Sequence, residues 1–150
     1  MKAKFLTLPV VLLMLGILPL VLVSFKTQQK EPWTNEQLMD PQELAITLNN
    51  PQSHQPIILS VGPAALIKNS IDIGPIRERE NLDKLQKLLK TTPKDETIVL
   101  YCGCCPFDKC PNIRPAFELL NQTQFKNHKL LNLSHNIKVD WVDRGYPVAE

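Results

Sequence analysis

Once its first thirty residues are set aside, the chain lacks any excess of positive charge. Those thirty carry four lysines and no acid, so residues 31–150 hold 13 basic against 15 acidic side chains. Nucleic-acid binding demands a basic face, so nucleic acid is excluded as a partner. The chain has no internal repeat and no low-complexity tract. It has no C-x-x-C-H, which excludes covalent haem attachment. No cysteine stands near the end of the N-terminal apolar stretch, so lipid attachment there is not indicated. The remaining length of about 120 residues suffices for one domain with a single core and is too short for two.

What is present begins with that apolar stretch. Phe5 to Phe25 is a run of 21 uncharged, mostly apolar residues, with Lys2 and Lys4 before it and Lys26 and Lys30 after. As a helix rising about 1.5 Å per residue it reaches about 30 Å, the thickness of a hydrocarbon core. A cleaved signal has a shorter apolar stretch and small residues at its cleavage site. Here only Ser24 is small, with Leu22 two places before it. An uncleaved anchor is the favoured reading and a cleaved signal the other. Both put residues 31–150 outside the cytoplasm, in the cell envelope or periplasm, so the division is 1–30 signal segment with linker and 31–150 domain.

The domain reads as alternating helices and strands. Asp40-Pro41-Gln42-Glu43 has the form of a helix start, with Asp40 as cap and Pro41 in the first turn. Asn49-Asn50-Pro51 ends that helix. Ile57–Val61 is a short buried strand between Pro56 and Gly62-Pro63. Ile71–Ile73 is a second extended piece. From Glu78 to Lys90, Leu82, Leu85, Leu88 and Leu89 share one face, away from Lys84, Lys87 and Lys90, which makes an amphipathic helix. Thr97–Cys102 is the clearest buried strand. Pro111–Asn121 reads as a helix, Lys129–Leu133 as a strand, and Val139–Arg144 as a last helical turn or two. Such alternation favours an α/β fold: a central parallel sheet with helices on both faces.

All four cysteines fall within nine residues, Cys102-Gly103-Cys104-Cys105-Pro106-Phe107-Asp108-Lys109-Cys110, between the strongest strand and a helix. In open α/β sheets ligands bind there, outside the carboxyl ends of the strands. Backbone N–H groups at the helix start favour an anion, and Lys109 and Arg114 add positive charge. A thiol in such a field is partly thiolate, the reactive form. Three readings stay open. One is a nucleophilic thiolate. The second is zinc held by thiolates, against which stand the adjacent Cys104 and Cys105 and the lack of paired C-x2-C knuckles. The third is a disulfide brace such as Cys105–Cys110, which is compatible with the first.

Several segments then resemble one family in order. Ile57–Val61 resembles the early strand of rhodanese-like domains, and Ile67–Pro75 their H-I-x-G-A-x-N-I stretch. Thr97–Cys102 resembles the strand that delivers the family's active-site cysteine. Asn112-Ile113-Arg114-Pro115-Ala116 resembles the G-x-R-S-x-x-A start of the next helix. Trp141 with Arg144-Gly145-Tyr146-Pro147-Val148 resembles the closing W-x-x-x-G-y-P-v. The likeness spans residues 34–148. It implies a rhodanese-like parallel α/β sheet and sulfur carried as a cysteine persulfide, although many members of the family are inactive binding modules. By position Cys102 matches the nucleophile and Arg114 the arginine opening the helix. The chain departs from the pattern in three places. Cys102 and Arg114 are twelve residues apart, where the family has only a few. Ser60 and Gly62 stand where the early strand usually has Asp and Arg. Ser134-His135-Asn136 replaces a glycine pair.

The leading expectation is therefore an exported or membrane-anchored sulfurtransferase. Cys102 is the nucleophile, Cys110 beside the helix dipole its rival or resolving partner, and Arg114 the receptor for anionic charge. Lys109, Gly103 and Asn112 are expected to bind substrate, and Cys104, Cys105 and Cys110 are the redox candidates. The expected partners are a small sulfur donor, a thiol acceptor and, through residues 5–25, the membrane. No cofactor or metal is called for. The alternatives are a non-catalytic module with a bridged or zinc-bound loop, and a dithiol/disulfide redox protein. His54 and His128 read as solvated surface residues. His135 sits at the same sheet edge as Cys102 and is either a thiolate partner or a loop residue. Asp108 either orients substrate or solubilises the loop. Trp33 either meets the membrane interface or covers the domain, and Trp141 packs in the core.

Overall fold

A computed structural model describes residues 30–150. The apolar run from Phe5 to Phe25, with its reading as anchor or signal, lies outside the described residues. Among the described residues no helix is long and apolar enough to cross a membrane.

Eight regular elements follow one another: β1 (Leu38–Met39), α1 (Pro41–Asn49), β2 (Ile57–Ser60), β3 (Ile71–Asp72), α2 (Arg79–Thr91), β4 (Thr97–Tyr101), α3 (Ile113–Gln122) and β5 (Asn127–Leu131). Single 3-10 turns occupy Asn35–Gln37 and Phe107–Lys109, and a π-helical turn occupies Lys138–Val142. The strands form one parallel sheet in the order β1-β5-β4-β2-β3. This is the α/β class that the alternating pattern predicts.

Side chains one residue apart on a strand point to opposite faces, and β4 divides its own between two cores. Ile98, Leu100 and then Cys102 join Leu85, Leu89, Phe117 and Leu120 from α2 and α3. Val99 and Tyr101 join Leu44 and Leu48 from α1, together with Ile137 and Trp141. With both faces covered, β4 reads as a continuous apolar run. Its period-two alternation delivers Cys102 to the α2/α3 side, just beyond the strand's carboxyl end.

Asp40 caps α1 as its sequence predicts, its Oδ1 accepting from the Gln42 amide at 2.7 Å. Strands β2, β3 and β4 end one residue and β5 two residues sooner than expected, and two elements start two residues away from the expected place. Helix α3 begins at Ile113, two residues late, because Pro111 and Asn112 form a turn and the Asn112 side chain is engaged elsewhere. Strand β5 begins at Asn127, two residues early, because Asn127 and His128 pair with Thr97 and Ile98.

Candidate functional site: the cysteine loop at the sheet edge

Cys102 leaves β4 beside the end of β2, and the contact there is with Gly62. A Cβ placed on Gly62 would stand 3.0 Å from Cys102 Sγ and 3.2 Å from the Gly103 nitrogen. The sulfur thus occupies space that any larger residue at position 62 would claim. Gly103 is just as closely fitted: a Cβ there would come within 2.8 Å of both Cβ and Cγ2 of Ile137. The Gly103 carbonyl accepts from the Ile137 amide at 3.0 Å, and the Leu133 carbonyl accepts from the Phe107 amide at 3.0 Å. The long loop is therefore tied at two points to the segment leaving β5.

Within this frame the sulfurs of Cys104 and Cys110 lie within 4.8 Å of Cys102 Sγ. Hydrogen bonding by the Cys110 thiol, the Cys104 backbone and thiol, and the Asn112 side chain favours the Cys102 thiolate. The Cys102–Cys104 Sγ separation is 3.4 Å. Asn112 Oδ1 accepts from the Arg77 amide at 3.4 Å. The Cys110 thiol leads in bringing the Cys102 pKa down to about 6, against the opposing effect of burial. Hydrogen bonds donated to the charged form favour it, and here they outweigh desolvation. Burial first, then the bonds to Cys105 and Cys102, push Cys104 up to about 12. The bond to Cys102 first, and then burial, raise Cys110 as well. The cluster favours one thiolate and disfavours a second, because burial and the thiol hydrogen bonds, with like charge adding less, hold Cys104 and Cys110 protonated.

The other expected site residues are less closely gathered. Cys110 is buried at the exit of the 3-10 turn, three residues ahead of α3, with its thiol raised. The dipole argument placed it at the helix start. The turn at Pro111 and Asn112 removes it from there. Arg114 departs from its expected place as anion receptor. Its guanidinium donates to Glu31 Oε2 at 2.7 Å and to the Lys30 carbonyl at 3.1 Å, and lies 5.5 Å from the Trp33 ring centroid. Lys109 is exposed and paired with Asp108 at 3.1 Å. Cys105 Sγ lies 3.3 Å from Cys104 Sγ. All four cysteines are free thiols, Cys102 and Cys110 buried, Cys105 half-buried and Cys104 exposed.

His135 turns to Asp140, its Nδ1 lying 3.1 Å from Oδ1, while its backbone N–H donates to Oδ2 at 2.6 Å. His54 meets Glu96 at the surface. His128 is not a surface residue. It is buried on β5 with Nδ1 3.0 Å from the Phe125 carbonyl and Nε2 2.7 Å from Asn121 Oδ1, and it packs on Phe117. Burial lowers its pKa. Trp33 covers the domain, edge-on to Phe107 at 5.9 Å and Phe117 at 5.7 Å. Trp141 is fully buried, its indole N–H donating to the Pro147 carbonyl at 2.8 Å.

In the sequence Gly62 marks the end of the Ile57–Val61 strand and a departure from the rhodanese-like pattern, not a contact of Cys102. Its place just beyond the carboxyl end of β2, the strand adjoining β4, was the available signal. Arg77, which holds Asn112 through a backbone amide, leaves no signature in sequence. No protein-family model matches the chain, and neither a curated protein nor a solved structure matches it.

Proposed function

We propose that the chain is a rhodanese-like sulfurtransferase acting outside the cytoplasm, held to the membrane by residues 5–25, with Cys102 as its sulfur carrier. What supports this best is the gathering of the Cys104 and Cys110 sulfurs within 4.8 Å of a Cys102 whose pKa is brought down to about 6, at the carboxyl end of the central strand. The parallel α/β sheet is of the class that the resemblance implies.

In the reaction the Cys102 thiolate attacks the outer sulfur of a sulfane donor such as thiosulfate. A Cys–S bond to sulfur forms, the donor's S–S bond breaks, and sulfite leaves with the electron pair. An acceptor thiolate then attacks the outer sulfur of the persulfide, and Cys102 departs as thiolate. The donors that lower the Cys102 pKa make it both a populated nucleophile and a good leaving group. In this reading Cys110, Cys104 and Asn112 carry the anion stabilisation that the resemblance assigns to Arg114.

The test is incubation of the reduced full-length protein in detergent with thiosulfate, followed by peptide mass spectrometry. A persulfide on Cys102 that vanishes in Cys102→Ser supports the proposal. A persulfide on Cys110 instead would move the site. Reduced, metal-free protein that stays unmodified would refute it and favour a non-catalytic module.

A further inference from the structure

The sulfurs of Cys102, Cys104 and Cys110 lie within 4.8 Å of one another. They reach that triangle by separate routes. Cys102 comes from the end of β4, and Cys104 follows Gly103, whose carbonyl is bonded to Ile137. Cys110 closes the 3-10 turn, its amide bonded to the Phe107 carbonyl at 3.4 Å and its carbonyl to the Ile113 amide at 3.3 Å. Folding therefore assembles the three, and backbone hydrogen bonds hold them. Among the described residues no histidine or carboxylate joins the set, and two of its three members are buried.

We propose that this triangle is a binding site for a thiophilic monovalent cation, Cu(I), coordinated by Cys102, Cys104 and Cys110. Soft thiolates select soft ions. A metal–sulfur bond of about 2.3 Å places three trigonal sulfurs about 4 Å apart, a spacing this triangle reaches with small side-chain movements. Structural zinc takes four ligands in a tetrahedron. Cys105, adjacent in sequence to Cys104, is not a corner of the set. Each thiol that coordinates releases its proton to solvent, and no electron is transferred. The site stands independently of sulfur transfer, although the two share Cys102, so a bound ion and a persulfide exclude each other.

The experiment is anaerobic titration of the reduced full-length protein in detergent with Cu(I) held by a chromophoric chelator. The expected result is one Cu(I) per chain. Affinity should fall by more than the roughly 10- to 100-fold typical of losing an outer hydrogen-bond partner of a ligand, in each of Cys102→Ser, Cys104→Ser and Cys110→Ser. Cys105→Ser should retain it. Equal retention in all four variants would mean loose binding by surface thiols, and loss in Cys105→Ser would mean a different ligand set. Either overturns the proposal. Should a buried serine unfold the chain, copper X-ray absorption on the unaltered protein decides: three sulfur neighbours support the site, and two or four refute it. Failure of thiosulfate to modify Cys102 would leave this result untouched.

Discussion

Gly62 and Cys102 share one space at the carboxyl edge of the sheet: a methyl group on Gly62 would sit 3.0 Å from the Cys102 sulfur. Gly62 is not among the residues with positive φ, so alanine can adopt its backbone and the substitution isolates the steric effect. The expected outcome for Gly62→Ala is a fold retained at a cost of about 1 kcal/mol, within the range for overpacking. The displaced sulfur loses alignment with its donors, so its alkylation by iodoacetamide at pH 7 slows several-fold. Unchanged alkylation would show that the sulfur tolerates displacement.

The lowered pKa of Cys102 fixes the sign of its pH dependence. With a value of about 6, against 9.0 for an ordinary thiol, the thiolate predominates above pH 6 and is lost as pH falls through it. Alkylation of Cys102 in metal-free, reduced protein should rise through about pH 6 and level off by neutrality. Cys104, raised to about 12, should remain slow throughout that range. Cys110→Ala removes the largest lowering influence, so the Cys102 midpoint moves up toward 9.0. Mapping the alkylated peptides across pH checks both statements.

Much of this arrangement was legible in sequence where side-chain periodicity and turn chemistry speak directly. Asp40-Pro41 marks a helix start, and the run Ile98–Leu100 marks a strand covered on both faces. Clustered cysteines after such a strand mark the candidate site. Polar strand residues were not legible: Asn127 and His128 look solvated, yet pairing with β4 buries His128 and α3 supplies its partners. Nor was the direction of Arg114. A helix-opening arginine after a cysteine loop suggests anion binding, but only tertiary structure brings Glu31 to it from 83 residues away. The order of acidity among the thiols likewise depends on which sulfur receives the donors, which spacing alone does not encode.

The position of Arg114 leads to a prediction opposite to the family pattern. Arg114→Ala should leave thiosulfate loading of Cys102 unchanged, because its hydrogen bonds run to Lys30 and Glu31. It should cost only about 1 kcal/mol, the scale of a partly exposed ion pair with a ring contact. Trp33→Ala should cost more, about 2 kcal/mol, through its edge contacts with Phe107 and Phe117. Thermal unfolding followed by circular dichroism measures the stability changes. A steep rise in the thiosulfate KM of Arg114→Ala would return the arginine to the site.

Gly103 and Ile137 supply the sharpest steric test. A methyl group at position 103 would meet the branched Cβ of Ile137 at 2.8 Å, and that atom cannot swing aside as a flexible chain end would. Either the loop or the segment after β5 must move, which strains the Gly103 carbonyl bond to the Ile137 amide. Gly103→Ala is expected to destabilise by about 2 kcal/mol. It should also raise the Cys102 pKa, because Cys104, the next residue, lowers that pKa through its backbone and its thiol. Ile137→Ala alone opens a cavity and also destabilises. Combined, the two changes relieve each other, so the double variant should be more stable than the sum of the single losses implies. Strict additivity in urea unfolding would mean that the loop yields without pressing on Ile137. Coupling, accompanied by a Cys102 midpoint restored toward 6, would establish that packing against the β5 exit holds the thiolate in place.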